Sequence, residues 1–312
     1  MNINFTSFAA MVTALPTDNA CREYLELQRW NGTPTCPHCG LIDATHYKLN
    51  VKGEFKGMYK CKSCKERFTV ILGTMFEGSP IPLRKWFIAT YMFSSHKKGV
   101  SSHQLARDLG VTQKTAWFML HRLRETFTDV TPKVLKDVVS LDETFVGGKN
   151  KNRHADKKKE GTQGGGGNDK TIVFGGMQIG GIVVTKIIPD READTILPII
   201  AKMVEKGSIL VTDELKAYYR VKKDYFHIAV NHNQGVYTHN AFSPNNIEGF
   251  WSLLKRGIVG IYHQVTPKHL ATYCEEFGFR YNSRKITDKE RFDMVLKRVE
   301  GVKLNYNMLI SK

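Results

Sequence analysis

The sequence lacks the features that would place a protein in a membrane or direct it out of the cell. None of its segments approaches the 18 or more consecutive apolar residues that span a bilayer. The apolar stretch of residues 8–15 has no basic region before it, which argues against a secretory signal peptide. We therefore expect a protein without membrane segments that works in the cytoplasm.

Acidic residues are scarce relative to basic ones, with 30 Asp and Glu against 46 Lys and Arg and a net charge of +16. Clustered Lys and Arg gain affinity for nucleic acids by displacing phosphate counterions. A polyanion is therefore the first partner to consider, although ribosome-associated and membrane-surface proteins share this charge. The 312 residues predict two or three domains, and 41% hydrophobic content is enough for real cores.

Cysteine is also scarce, and four of the six cysteines form two Cys-x-x-Cys pairs with 21 residues between them. The paired residues are Cys36, Cys39, Cys61 and Cys64. A redox role would need a thioredoxin-like context that is missing, so the pairs predict a structural Zn²⁺ that stabilises a small zinc ribbon. We interpret His38 and His46 as bystanders, and Cys21 and Cys274 as ordinary buried thiols.

Residues 101–127 have the pattern of two helices joined by a turn. Ser101 begins a capping box, Gly110 ends the first helix, and Thr112 caps the second. This pattern favours a DNA-binding helix-turn-helix, with a structural helical hairpin as the alternative. The candidate DNA contacts on the second helix are Gln113, Lys114, Thr115, Arg122 and Arg124.

Two aspartates lie in segments that are predicted to be strands. Residues 138–145 and 208–213 are short and rich in apolar and β-branched side chains; the first contains Asp142 and the second ends on Asp213. Strand alternation directs Asp142 and Glu143 to opposite faces, so we expect Glu143 to point away from the site. Asp142 and Asp213 are candidate ligands of a divalent cation.

Residues 243–256 have the pattern of an amphipathic helix capped by Ser243 or Asn245. Glu248 and Lys255 are seven residues apart, almost two whole turns, so both point the same way about 10 Å apart. Taken alone, the pair is ordinary for a solvated helix face. Together with the two aspartates, it could reach one metal-bound phosphate.

The predicted elements from residue 137 onwards follow a mixed βββαβαβα order, which is similar to the RNase H-like arrangement. We therefore expect an α/β fold with an RNase H-like mixed sheet and flanking helices. The predicted domains are an N-terminal helical segment (1–30), a zinc ribbon (31–72), a helix-turn-helix domain (75–130), a catalytic domain (137–290) and a C-terminal tail (291–312).

Four segments carry a resemblance to a known family: SLDETFVGG, VTDELKAYY, NNIEGFWSLLKRGIVGIYHQV and EEFGFRYNSRK. They resemble the ISXO-like group of bacterial insertion-sequence DDE transposases, which have a zinc ribbon and a helix-turn-helix ahead of the catalytic domain. The resemblance implies DNA transposition, with Asp142, Asp213 and Glu248 as the acidic triad. It also implies that Lys255 contacts the transferred DNA end, and Arg256 is a further candidate phosphate contact.

This chemistry sets the expected cofactors. Phosphodiester transfer needs an activated nucleophile and a neutralised leaving oxygen, and two Mg²⁺ (or Mn²⁺) ions roughly 4 Å apart supply both. Carboxylates suffice as ligands, because Mg²⁺ prefers hard oxygens, water and substrate phosphate. We place Asp142 and Asp213 around a shared metal position and Glu248 on the second. Asn245 and Asn246 are alternatives for the third ligand.

The implied partners are the terminal inverted repeats of the element and a target DNA. Synapsis of two ends implies at least a homodimer in the working complex, located at the bacterial nucleoid. Two alternative functions remain at this stage. One is a DNA-binding regulator derived from a transposase, and the other is an RNase H-like structure-specific nuclease that hydrolyses without joining.

Overall fold

The computed structural model describes residues 3–128, 133–148, 170–213, 215–230 and 245–311. Ser243, one of the two predicted caps of the helix that carries Glu248, lies outside these ranges, and Asn245, the other, is the first residue of that helix. The chain divides into two compact units, which are described separately. The first comprises Met1–Phe127 with Lys285–Lys312, and the second comprises Thr128–Arg284.

The first unit combines helices with a small antiparallel sheet. Its helices are α1 (Phe8–Ala14), α2 (Asp18–Trp30), α3 (Leu83–Ser95), α4 (Ser102–Leu109), α5 (Gln113–Glu125), α9 (Asp288–Lys297) and α10 (Tyr306–Ile310). Its strands are β1 (Tyr47–Val51), β2 (Glu54–Lys60) and β3 (Arg67–Phe68), in the order β1-β2-β3. The sheet lies in the segment that was predicted to form a zinc ribbon.

The two helices of the predicted helix-turn-helix begin at the expected residues and the first ends at the expected glycine, but the second ends at Glu125, before the predicted end at about residue 127. The Ser101 hydroxyl accepts a hydrogen bond from the Gln104 amide at 3.1 Å, and Gly110 ends α4 with a φ of +59°. The Thr112 hydroxyl accepts from the Thr115 amide at 3.2 Å and so caps α5. Both caps satisfy amide groups that have no partner inside the helix.

The C-terminal residues do not form the separate tail that was expected for residues 291–312. They include α9, which begins with a capping box formed by Thr287 and Glu290. Phe292 of α9 is fully buried, and its ring centroid lies 5.6 Å from that of Phe87 in α3. The segment therefore completes the core of the first unit, because the buried ring of Phe292 packs against that of Phe87.

The second unit is built on a five-stranded mixed sheet in the order β6-β5-β4-β7-β8. Its strands are β4 (Val138–Val146), β5 (Thr171–Gln178), β6 (Val183–Ile188), β7 (Ile209–Thr212) and β8 (Phe226–Ala229). Strands β4, β5 and β6 pair antiparallel, whereas β7 and β8 run parallel to β4. This mixed order confirms the predicted RNase H-like sheet.

Helical elements cover both faces of this sheet. They are α6 (Ala193–Met203), a 3-10 helix (Lys216–Lys223), α7 (Asn245–Gly257), a π-helical turn (Ile258–Tyr262) and α8 (Pro267–Asn282). Leu141, Phe174 and Tyr218 belong to the apolar core between the sheet and α6 with the 3-10 helix. On the opposite face, Val173 packs with residues of α7 and α8, including Trp251. Strand β4 thus lies in the centre of the sheet, between two apolar layers.

Candidate active site

The register of the sheet brings Asp142 and Asp213 together. Strands β4 and β7 run parallel with Ser140 beside Val211, so Asp142, two residues further along β4, lies beside Asp213, the residue that follows the end of β7. One carboxylate oxygen from each, together with one from Glu143, lies within 4.8 Å of the others. Asp213 Oδ1 also accepts the Leu215 amide at 3.0 Å, which helps to fix this aspartate just after the end of β7.

The position of Glu143 differs from the expectation that it would point away. Strand alternation does direct its side chain to the face opposite Asp142, where the Tyr218 hydroxyl donates a hydrogen bond to it. Even so, its carboxylate lies in the same compact group as those of Asp142 and Asp213. The physical reason is that Asp213 follows the end of β7, where a side chain is not restricted to one face of the sheet.

Three acids in so small a space perturb one another. Burial raises the pKa of Asp142 to about 6, and the charges of Asp213 and Glu248 act in the same direction. Burial likewise raises the pKa of Glu143 to about 7, with further contributions from Asp213 and Asp142. A divalent cation bound among these oxygens would neutralise this mutual repulsion, so the donor set fits Mg²⁺ or Mn²⁺.

Helix α7 carries the third predicted acid and the predicted lysine. Glu248 lies in its first turn and Lys255 in its last, and both side chains are exposed. Glu248 is not part of the compact group formed by the other three acids, but its charge contributes to the raised pKa of Asp142. Asn245 and Asn246, the alternative third ligands, are also exposed in the first turn of α7.

Trp251 joins α7 to the acidic cluster. Its indole Nε1 donates a hydrogen bond to Asp142 Oδ2 at 3.0 Å, and the side chain is buried, with 4% exposed. Sequence reasoning did not identify this contact, because a tryptophan at helical spacing is typical of a residue in the apolar core. The available signal was chemical, because a buried indole N–H usually needs an acceptor.

The four paired cysteines of the first unit also come together. Cys36 Sγ lies 3.7 Å from Cys64 Sγ, and Cys39 Sγ lies 3.6 Å from Cys61 Sγ. A tetrahedral site with Zn–S bonds of about 2.3 Å requires sulfur atoms about 3.8 Å apart. The four thiols therefore fit a structural Zn²⁺, as the spacing of the cysteines predicted.

Both cysteine pairs lie on turns of the same kind. The Gly40 amide donates to the Cys36 carbonyl at 2.9 Å, and the Lys65 amide donates to the Cys61 carbonyl at 3.2 Å. Gly40 and Lys65 both have positive φ angles, of +75° and +65°. His46 is buried and accepts the Lys62 amide through Nδ1, so its role here is to brace the second turn rather than to bind metal.

Two of the predicted DNA contacts on α5 are structural instead. Arg124 is 1% exposed, with its guanidinium 5.3 Å from the centroid of the Phe93 ring. Arg122 is half-buried and donates to the carbonyls of Leu304 and Met75, at 2.9 and 2.6 Å. Arg122 therefore ties α5 to the C-terminal segment, whereas Arg124 packs against α3 in the core of the first unit.

The other predicted contacts remain on the surface. Gln113 and Lys114 are exposed in the first turn of α5, and Gln113 Nε2 donates to the Ser102 hydroxyl at 2.8 Å. Thr115 is half-buried behind the cap. Arg256 on α7 is exposed, and its Nε donates to the Ser252 carbonyl one turn earlier at 3.1 Å.

Helices long and apolar enough to cross a membrane are absent from the part of the chain that the structure describes. The described residues contain a four-cysteine cluster in a zinc ribbon and an acidic cluster on an RNase H-like mixed sheet.

Comparison with protein families agrees with this class. Residues 134–282 match the family described as the ISXO2-like transposase domain, and residues 16–67 match the transposase zinc-ribbon domain. The two matched segments contain the acidic cluster and the four cysteines, respectively. The chain therefore contains one segment that matches an ISXO2-like transposase domain and another that matches a transposase zinc ribbon.

Two relatives support the same assignment. The chain is 27% identical over 280 residues to a protein of the transposable element ISH50 from Halobacterium salinarum, covering 86% of this chain and 92% of the relative. It is also 29% identical over 123 residues to a transposase-like protein from Haemophilus influenzae, covering 38% of this chain and 94% of that protein. The first similarity extends over most of both chains.

Proposed function

We propose that this protein is an active DDE-type transposase that cleaves DNA strands at the ends of an insertion sequence and joins them to a target. The observation that carries the proposal is the acidic cluster, in which Asp142 and Asp213 meet at the centre of an RNase H-like sheet. Burial raises the pKa of Asp142, and the charges of Asp213 and Glu248 act in the same direction, as is typical of carboxylates in functional sites.

Asp142 and Asp213 would hold a shared divalent ion, and Glu248 would approach from α7 to hold a second. When bound, Mg²⁺ or Mn²⁺ supplies Lewis-acid activation of the attacking oxygen and neutralises the leaving oxygen. Glu143, whose carboxylate lies in the same group, would add negative charge when it is ionised and so strengthen the attraction for cations.

The remaining side chains would bind DNA. Lys255, exposed in the last turn of α7, would hold a phosphate of the transferred end as a point charge, and Arg256 beside it would contact the backbone. On α5, Gln113, Lys114 and Thr115 would meet the terminal repeats. Two ends must be brought together, so the working complex would be at least a homodimer, acting at the bacterial nucleoid.

Strand cleavage and joining can be measured with a labelled duplex that carries the DNA flanking the gene, incubated with purified protein and Mg²⁺. We expect nicked ends and joined products that disappear with EDTA. In Asp142→Asn and Asp213→Asn, cleavage should be lost while DNA binding stays within a few fold of wild type. Cleavage near the wild-type rate in either variant would reject the assignment, and cleavage without any joined product would indicate a nuclease.

A further inference from the structure

We propose that Trp251 is a positioning residue that orients Asp142 of the acidic cluster, and that Gly175 leaves the space on the sheet that the Trp251 indole needs to reach Asp142. The proposal rests on the proposed function, because it concerns how one metal-binding carboxylate is held. Its basis is the hydrogen bond from Trp251 Nε1 to Asp142 Oδ2, 3.0 Å long, made by an almost fully buried indole.

The bond connects the two elements that carry the predicted acids. Trp251 lies on α7 three residues after Glu248, and Asp142 lies on β4. Ile247 and Leu254, both fully buried, hold α7 against the sheet by apolar contact, which is not directional. The indole N–H adds a directional contact, and it therefore fixes the position of α7, and of Glu248 on it, along strand β4.

Gly175 provides the space for the indole. It is the register partner of Asp142 across β4 and β5. A Cβ at this position would lie 2.6 Å from Trp251 Cη2 and 2.7 Å from Cζ2, closer than such atoms approach. Its φ is not in the left-handed region, so the backbone conformation does not require glycine here. The need is steric: any side chain at residue 175 would push the indole away from Asp142.

The consequence is a carboxylate with a fixed plane. An indole N–H can only donate, so it commits Oδ2 of Asp142 as an acceptor. Without this contact, the carboxylate would be held by the backbone amide of Glu143 alone and would be less firmly oriented. Partners that orient a metal ligand through a hydrogen bond typically change metal affinity by about 10- to 100-fold.

Mn²⁺ binding to the full chain, measured by isothermal titration calorimetry, tests the proposal without relying on catalysis. Trp251→Phe keeps an aromatic ring and removes the donor, and Gly175→Ala displaces the ring that carries it. Both should weaken Mn²⁺ binding roughly tenfold or more. The matched control is Gly176→Ala, whose Cβ would lie 2.7 Å from Leu135 Cδ1 on the other face. This control should lower thermal stability and leave Mn²⁺ affinity unchanged.

The indole N–H also has its own signal in a ¹H–¹⁵N spectrum. The chain contains four tryptophans, and the signal missing from Trp251→Phe identifies residue 251. We expect this signal to shift in Asp142→Asn and again when Mg²⁺ is added to the wild type. If Trp251→Phe fails to fold, β-(3-benzothienyl)alanine at residue 251 keeps the bicyclic shape, replaces the N–H by sulfur, and serves in the same titration.

The outcomes separate the two proposals. Wild-type Mn²⁺ affinity in Trp251→Phe, with binding lost in Asp142→Asn, would reject the positioning role and leave the metal site intact. An indole signal that does not respond to Asp142→Asn would also reject the positioning role. An absence of Mn²⁺ binding in the wild type would overturn both.

Discussion

Replacement of Asp142 by Asn should make the metal-free protein more stable while it removes catalysis. Asp142 is largely buried beside two other acids, and its pKa rises from the ordinary 3.8 to about 6. A rise of this size corresponds to about 3 kcal/mol of unfavourable energy when the group is ionised in the folded state. The amide carries no charge and its oxygen can still accept from Trp251, so we expect a net gain of about 1–3 kcal/mol.

The sign of the effect depends on pH. A carboxyl whose pKa is higher in the folded than in the unfolded state binds its proton more tightly when folded. Its unfavourable contribution is therefore absent below about pH 3.8, grows as the pH rises towards 6, and is complete above that value. The stability difference between Asp142→Asn and wild type should follow the same course, from near zero at pH 4 to its full value at pH 8.

Differential scanning calorimetry of the full chain can measure this difference, with the second unit identified as the transition that responds to Mg²⁺. For a unit of about 150 residues, each kcal/mol corresponds to roughly 2–4 °C in Tm. Added Mg²⁺ should raise the wild-type Tm and leave Asp142→Asn unchanged. Asp190→Asn is the control, because the pKa of Asp190 is lowered by hydrogen bonds and its replacement should not stabilise. A variant no more stable than wild type at pH 8 would refute the reasoning.

Three further predictions concern other parts of the chain. The purified protein should contain one zinc per chain, and chelation should expose residues 31–72 to hydrogen exchange; finding no zinc would remove that assignment. Arg124→Met should destabilise the first unit by roughly 1–3 kcal/mol without altering sequence preference in binding selection from random DNA, whereas Gln113→Ala should do the reverse. Lys255→Ala should slow strand transfer while Mn²⁺ affinity, measured by calorimetry, stays the same; a parallel loss of affinity would contradict its role as a phosphate contact.

Local signals in the sequence were sufficient for the helix ends and the zinc ribbon. The caps at Ser101 and Thr112 depend on contacts within three residues, which a sequence displays directly. The same holds for the cysteine pairs, because each pair lies on one tight turn. The pairing of Asp142 with Asp213 needed more, namely the order of the strands, which the mixed pattern of elements supplied.

Local sequence signals could not predict which distant groups a side chain contacts, or which surface residues are buried by segments far away in the sequence. Period-two alternation correctly separates Asp142 from Glu143, but it does not predict the direction of the Asp213 side chain, which follows the end of β7 and lies within reach of both. Arg122 and Arg124 have the composition of a DNA-binding helix. Their structural role depends on Leu304 and on Phe93, one of which lies about 180 positions away in sequence.

The contact of Trp251 with Asp142 has the same origin. Its position on α7 predicts burial, and only the register of β4 and β5 places a glycine beneath it and a carboxylate beside it. Helix α7 and strands β4 and β5 meet there, and the sequence of each one gives no indication of its contact with the other two. Sequence patterns therefore define the face that a residue occupies better than the atom it touches.

The most direct test of the acidic cluster as a metal-dependent catalytic site is the rate of DNA strand cleavage by Asp213→Cys in Mg²⁺ and in Mn²⁺. A thiolate binds Mn²⁺ much better than it binds Mg²⁺, because Mg²⁺ strongly prefers oxygen ligands. We predict that the variant is inactive with Mg²⁺ and regains cleavage with Mn²⁺. Cleavage at the wild-type rate in Mg²⁺ would contradict the account, since the oxygen of Asp213 would then have no part in holding the ion.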